Sequence, residues 1–332
     1  MQIDVMKAGL FTTVQDRGRV GWMKYGVPRG GAMDDWSYRI ANELVGNDPA
    51  APALEVISLG PQLRFNYGCW ISLCGGDISA SADGVPIPSW RPVWIPEGSV
   101  LTMGAFREGA IAYLAIRGGI KSEPYMGSSS TYVRGKLPGL LGRSLQAGDQ
   151  LETGDWAIES VPGAAVNHAL GCKLYYPRWS VSPLSISKPQ QVRAVPGREY
   201  AHFGEESGER FAHSVYQVTS RSDRMGYRLE GYTLSVMQPL EMRSESVLKG
   251  TVQVPPDGRP IVLMSDSQTT GGYPRIAQVI SADLHLLSQV PPGGEVRFTF
   301  ITHEEAEYAL YKREQELRML KRFIRMKGER DG

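Results

Sequence analysis

The chain has 332 residues, 42% hydrophobic and 21% charged, the proportions of an ordinary globular protein, which exclude intrinsic disorder as its main state. Thirty-six Lys and Arg against 35 Asp and Glu leave a formal charge of +1, so the balance does not call for nucleic acid or an anionic membrane surface as partner. Three cysteines are too few for a disulfide framework, no apolar run approaches the roughly 18 residues of a spanning helix, and stretch 1–10 lacks the apolar core of a secretory signal; together these predict a soluble protein of a reducing cytoplasm, with no membrane partner.

At about 150 residues per domain, the length predicts two domains. Gly (38) and Pro (22) together exceed the roughly 12% usual in globular chains, so turns are frequent. The first polar loop, 12–34, carries Thr13, Gln15, Asp16, Arg17, Arg19, Tyr25, Arg29 and Asp34 among glycines that let backbone amides approach a ligand. Ligand or partner binding and turn stabilisation are both open to it. With Asp34 as N-cap, Trp36, Ile40 and Leu44 recur at i, i+4 and i+8 before Gly46-Asn47, which predicts a helix over 34–46.

Strand-length apolar runs follow at 53–58, 62–65, 70–74, 99–103, 110–116 and 156–161, and again at 184–187, 191–195, 214–219, 233–237, 251–254, 260–264, 275–280 and 295–301. The gaps are too short for crossover helices, so the fold class predicted is mainly β, with antiparallel sheet curled into barrels or sandwiches. Cys69 and Cys74 sit on or beside a strand and read as buried thiols rather than zinc ligands. The histidines at 168, 202, 213, 285 and 303 show no metal-ligand spacing, so no metal site is predicted.

The second polar loop, 127–143, interleaves the hydroxyls of Ser128, Ser129, Ser130, Thr131 and Tyr132 with Arg134, Lys136 and Arg143. Such a loop suits a carboxylate or phosphate, or is simply solvated, with Asp149 and Asp155 available to balance its charge. Stretch 162–183 lacks periodicity and marks the domain boundary. This gives a first β-barrel domain over 1–165, a second over 166–302 with exchange of strands left open, and a C-terminal helix over 303–332.

In the third loop, 222–228, Asp223 and Arg224 beside Gly226 serve either a site or the bracing of a turn. The fourth, 265–275, offers Asp266, Gln268, Thr269, Thr270, Tyr273 and Arg275 to an amide-bearing substrate, or is a plain hairpin turn. Asp16-Arg17-Gly18 with Gly21-Trp22 is echoed by Asp223-Arg224 with Gly226-Tyr227, which either relates two barrels or is coincidental. A long helix is predicted over 303–326: Thr302 and Glu305 have capping-box spacing, glutamates occupy the first turn and cations gather toward the end. Its stripe of Ala306, Leu310, Leu317, Leu320 and Ile324 packs on its own barrel or docks onto a second protein. Gly135-Lys136 precedes Leu137 and lacks the glycine offset of a phosphate loop, and no dinucleotide fingerprint is present.

Several of these segments also carry a likeness. Thr12-Thr13-Val14-Gln15-Asp16 with Gly18-Arg19, Gly26-Val27-Pro28 with Gly31-Ala32-Met33-Asp34, Ala41-Asn42 with Leu44-Val45-Gly46-Asn47, and Leu54-Glu55 come first. Gly135-Lys136-Leu137-Pro138-Gly139, Ser222-Asp223-Arg224-Met225-Gly226 and Gln268-Thr269-Thr270-Gly271-Gly272-Tyr273-Pro274-Arg275 follow in the same order. Together, over nearly the whole chain, they resemble the allophanate hydrolase subunit 2-like family, that of the 5-oxoprolinase C subunit, also described as biotin-dependent carboxyltransferase-like.

The resemblance implies two cyclophilin-like β-barrel domains. It also implies a role as the C subunit of an ATP-dependent 5-oxoprolinase, turning 5-oxo-L-proline into L-glutamate together with a kinase-inhibitor-like B subunit, and with a LamB/YcsF-type A subunit. ATP is then a cosubstrate of the complex, with Mg2+, and no cofactor is expected in the isolated chain. On this reading Arg19, Arg134 and Arg275 bind carboxylate or phosphate, and Gln268, Thr269 and Asp34 orient the lactam. Asp16 or Asp223 handles a proton or an ion, while Tyr25, Lys136, Arg224, Thr270 and Tyr273 complete the substrate contacts. Two other readings stay open: the carboxyltransferase component of a urea carboxylase or allophanate-type system, and a non-catalytic protein that binds a sporulation-kinase inhibitor. The chain has no Ala-Met-Lys-Met biotin-carrier segment, so biotin would have to be delivered by another chain.

Overall fold

The computed structural model describes residues 1–154, 174–183, 185–238 and 240–330; the expected strand at 156–161, Asp155, His168 and Leu184 lie outside them. The chain forms two compact units, each drawn from separated stretches. The first comprises Met1–Gly18, Asp34–Leu184 and Glu316–Gly332, and the second Arg19–Met33 and Ser185–Gln315.

In the first unit, nine strands make one sheet: β1 (Gln2–Lys7), β2 (Phe11–Gln15), β3 (Ala53–Ile57), β4 (Gln62–Phe65), β5 (Cys69–Ala82), β6 (Val85–Pro86), β7 (Pro92–Ile95), β8 (Val100–Ile116) and β9 (Gln150–Glu152). The order is β2-β3-β8-β4-β1-β9, with β5 pairing β6, β7 and β8, so this sheet is open. The expected runs at 99–103 and 110–116 are one strand. Residues 104–109, which the sequence places between runs, stay in the ladder because β8 pairs with β5 through three register shifts between Gly75 and Ala80. Leu54, Val56, Leu63, Phe65, Ile71, Leu101 and Leu114 fill the core beneath this ribbon.

Helix α1 (Asp35–Leu44) starts where the sequence places it: Ser37 N and Oγ donate to the Asp34 carboxylate at 2.9 and 2.6 Å. Its buried face carries Tyr38, Ile40, Ala41 and Leu44. Asn47 Nδ2 ties the chain beyond the helix to Ile116 O on β8 (2.8 Å).

The second unit closes a barrel from seven of its strands. In chain order the strands of this unit are β10 (Gln190–Pro196), β11 (Val215–Val218), β12 (Gly226–Glu230), β13 (Glu245–Ser246), β14 (Thr251–Gln253), β15 (Ile261–Leu263), β16 (Thr270–Gly271), β17 (Arg275–Val279) and β18 (Glu295–Phe300). The barrel runs β10-β17-β14-β15-β12-β11-β18 and closes through parallel pairing of β10 with β18, while β13 and β16 form a separate ribbon. One barrel is therefore closed where two were expected.

Helix α2 (Gly204–His213) was not foreseen, because its sequence is mostly polar; Phe211 anchors it, stacked on Phe298 at 4.7 Å. The expected strand at 233–237 is irregular: Leu234 N donates to Gly258 O and Met237 N to His202 O, isolated bonds rather than a ladder. Residues 185–187, read as the rest of a strand from 184, are likewise not one. After α3 (Leu284–Ser288), helix α4 (His303–Arg330) opens with the expected reciprocal cap, in which Thr302 N donates to Glu305 Oε2 (2.8 Å) and Glu305 N to Thr302 Oγ1 (3.1 Å). Within its stripe Leu317 and Ile324 are buried, whereas Leu310 is exposed. Among the described residues no helix is long and apolar enough to cross a membrane.

Candidate functional site

The predicted site residues fall into two groups, one in each unit. In the first, β2 delivers Gln15, and the residue directly after it, Asp16, to the interior beside the loop that begins at Gly127. The Asp16 carboxylate, 8% exposed, collects four donors: Ser128 Oγ (2.7 Å), Ser130 Oγ (2.5 Å) and Gly18 N (2.7 Å) on Oδ1, and Ser129 N (2.6 Å) on Oδ2. The serine hydroxyls that the sequence offered to an anionic ligand thus serve an anion of the protein itself. Gln15 Nε2 adds bonds to Thr13 Oγ1 and Thr131 O, fixing the same loop to β2.

Arg134 and Lys136 stand exposed further along that loop. Lys136 has a left-handed backbone (φ 51°), and the turn after it requires Gly142, where a Cβ would collide with Lys136 O. Arg143 is engaged bidentately by Asp149 (2.7 Å each), and this hydrogen bonding holds the Asp149 carboxyl below its ordinary range despite partial burial. Asp34 caps α1, and its N–H donates to Tyr113 Oη, which donates in turn to Glu55 Oε2 (2.6 Å). Burial, with Glu55 beside it, pushes the Tyr113 hydroxyl up. Cys69 and Cys74 are buried free thiols whose ionisation burial also disfavours.

In the second unit, the stretch Arg19–Met33 meets loops 222–228 and 265–275. Arg224 is the hinge of this meeting. Its guanidinium takes both oxygens of Asp266 (2.9 and 2.8 Å) and reaches Gly31 O (2.8 Å), with Arg224 5% and Asp266 6% exposed. Gly30 N donates to Ser265 O (3.0 Å), Asp266 N to Arg224 O (2.8 Å), and Lys249 Nζ to Met33 O (2.7 Å). Lys249 carried no motif in the sequence, lying between Leu248 and Gly250, so only the fold reveals its part.

Arg19 is fully buried, and its N–H donates to Arg29 O (2.6 Å). Tyr25 is exposed beside Trp22 (ring centroids 5.7 Å apart). Asp223 faces solvent and accepts from Met225 N (2.8 Å) and Gly226 N (3.3 Å), which makes it the brace of its own turn. Gln268, Thr270 and Tyr273 are exposed, whereas Thr269 is buried and its carbonyl accepts from Val247 N (3.0 Å). Arg275 is already gripped: Glu199 takes its Nε and Nη2 (2.6 and 2.5 Å), and Glu245 adds a bond at 2.8 Å. Burial raises the Glu199 pKa, but the hydrogen bonds from Arg275 outweigh it and hold this carboxyl below its ordinary range.

Residues 25–300 match the family model for the carboxyltransferase domain, subdomain A and B. The chain is 40% identical over 305 residues to the 5-oxoprolinase C subunit of Escherichia coli, covering 92% of this chain and 93% of that protein. It is 32% identical to urea amidolyase of Saccharomyces cerevisiae, covering 92% of this chain but 17% of the yeast protein. Among solved structures, the urea amidolyase of K. lactis superimposes with a TM-score of 0.86 at 28% identity, over 96% of this chain and 20% of that one. With a family match over most of its length, and a bacterial relative matched nearly end to end, the chain belongs to the carboxyltransferase domain, subdomain A and B, family of enzymes.

Proposed function

We propose that this chain is the C subunit of an ATP-dependent 5-oxoprolinase that opens 5-oxo-L-proline to L-glutamate in the cytoplasm, acting with a kinase-inhibitor-like B subunit, and with a LamB/YcsF-type A subunit. The observation that carries the reading is the two-sided match to the 5-oxoprolinase C subunit, which accounts for 92% of this chain and 93% of the relative. The longer urea amidolyases share the module as about a sixth of their length, so they supply the fold without fixing the substrate. We take the open sheet of the first unit as the counterpart of a cyclophilin-like barrel.

The buried groups and the turn-closing Asp223 position, and the other exposed ones bind. Asp16 and Arg224 are saturated by protein partners, so they hold loops 127–143 and 265–275 in shape. Asp34 and Asp223 do the same for α1 and for a turn. Arg275, gripped by Glu199 and Glu245, belongs with these; the second unit then offers Gln268, Thr270, Tyr273 and Tyr25 as candidate contacts, and the first unit, taken by itself, offers Arg134 and Lys136. Gln268 suits a lactam because its amide both donates and accepts, and Arg134 or Lys136 suits a carboxylate or phosphate.

Among the described residues no three His, Cys, Asp or Glu side chains converge to hold a cation, and the sequence has no phosphate loop. We place ATP and Mg2+ in the assembled complex and route no step through them here. The test is 5-oxoproline-dependent ATP hydrolysis by the three mixed proteins, with glutamate measured in the same tube and each protein omitted in turn. Coupled turnover that needs this chain supports the reading, and turnover that needs biotin instead, with urea as substrate, supports the carboxyltransferase alternative that the K. lactis superposition favours.

A further inference from the structure

The first unit encloses a half-open cavity of about 280 Å³ that none of the loops above lines. Two indoles, Trp70 and Trp179, form its walls, and Ile324 from the last turns of α4 closes one side. A second ring backs each indole: Trp94 lies edge-on to Trp70 (5.7 Å) and Phe323 edge-on to Trp179 (5.9 Å), so the aromatic surface is held in place before any ligand arrives. Among the described lining residues the charge at the mouth is one-sided. Arg325 and Lys327 contribute cations, whereas the one carboxylate among them, Glu43, is neutralised by Lys321 Nζ at 2.6 Å.

We propose that this cavity binds a small aromatic monoanion, an aryl or indolyl carboxylate, with its ring against the two indoles and its carboxylate toward Arg325 and Lys327. The volume lies just under the roughly 300 Å³ at which drug-sized pockets begin, which selects a ligand of one or two fused rings. Fixed aromatic walls favour a planar ring over a flexible acyl chain, which would lose more conformational freedom on binding. The cations Arg325 and Lys327 among the described lining residues favour an acid over its amide.

Isothermal titration of the full chain with indole-3-propionate, indole-3-propionamide and hexanoate tests this. The indole acid is expected to bind with one-to-one stoichiometry, and the amide and hexanoate each about tenfold or more weakly. Arg325→Gln with Lys327→Gln should weaken the acid by about tenfold and flatten its salt dependence, leaving the amide unchanged. Ile324→Trp, which fills the cavity, should abolish binding while circular dichroism stays that of the parent. Should that variant fail to fold, Trp179→Leu gives a second reading, a loss for both indole ligands. Equal affinity for acid and amide, no binding of the acid at millimolar concentration, or unaltered binding by a folded Ile324→Trp or Trp179→Leu variant would overturn the proposal.

Discussion

The two Asp-Arg dipeptides, Asp16-Arg17 in the first unit and Asp223-Arg224 in the second, are alike in sequence and opposite in use. At the first, the aspartate is buried under four hydrogen-bond donors and the arginine faces solvent. At the second, the arginine is buried against Asp266 and Gly31 while the aspartate, exposed, closes its own turn. What differs is the neighbour. The loop beside β2 presents serine hydroxyls and amides, which solvate an anion; the loop after β15 presents a carboxylate, and the stretch Arg19–Met33 a carbonyl, which solvate a cation. A recurring dipeptide thus supplies one long-range tie per unit, and the surroundings decide which half makes it.

The contrast can be broken by substitution, and the buried cation should cost most. Arg224→Ala strands Asp266 in a buried site and should destabilise the second unit by about 3 to 5 kcal/mol in urea or thermal unfolding. Arg224→Met with Asp266→Leu should recover much of that loss, because the penalty is the unpaired charge rather than the absent bond. Asp16→Asn keeps the volume but turns an NH2 group toward the donors of the serine loop, at a cost of about 2 to 3 kcal/mol. Hydrogen exchange should localise that damage to residues 128–131.

A smaller effect should appear in acid. Because the folded Glu199 carboxyl is held below its ordinary range, its contribution is complete above about pH 4.3, the unfolded value, and is lost as pH falls toward the depressed folded value. Glu199→Gln should therefore lower stability at neutral pH and flatten its fall below about pH 4.3, seen as a shallower slope of melting temperature against pH. Smallest of all, Asp223→Ala should cost about 1 kcal/mol through its turn, and Arg17→Ala should stay within about 0.5 kcal/mol. An Arg17→Ala effect as large as that of Arg224→Ala would dissolve the contrast.

Much of this architecture was legible where a local rule applied. Asp34 ahead of Trp36, Ile40 and Leu44, and Thr302 with Glu305, gave both helix starts, because a cap is satisfied within three residues. Continuous β8 was not legible: Gly104 and Gly109 read as turn residues, yet the partner strand β5 absorbs them through bulges that leave no mark in the sequence of β8. Helix α2 was missed because a single apolar anchor, Phe211, gives no periodicity. Polar loops were found by composition, but the serine partners of Asp16 lie 112 to 114 residues away, so nothing local told serines that serve a carboxylate from serines that await a ligand.

The parallel pairing of β10 with β18 also bears on how the chain is made. Gln190 meets Val296 and Ala194 meets Phe300, so the barrel stays open until residues near 300 have been synthesised. The first unit waits longer still, since it includes residues 316–332 at the end of α4. Nascent chains will therefore expose unpaired strand edges through most of translation, and a high contact order makes the subsequent closure slow. Ribosome-bound chains halted before β18 should be readily cleaved by protease, and those extended past α4 should become resistant in both units.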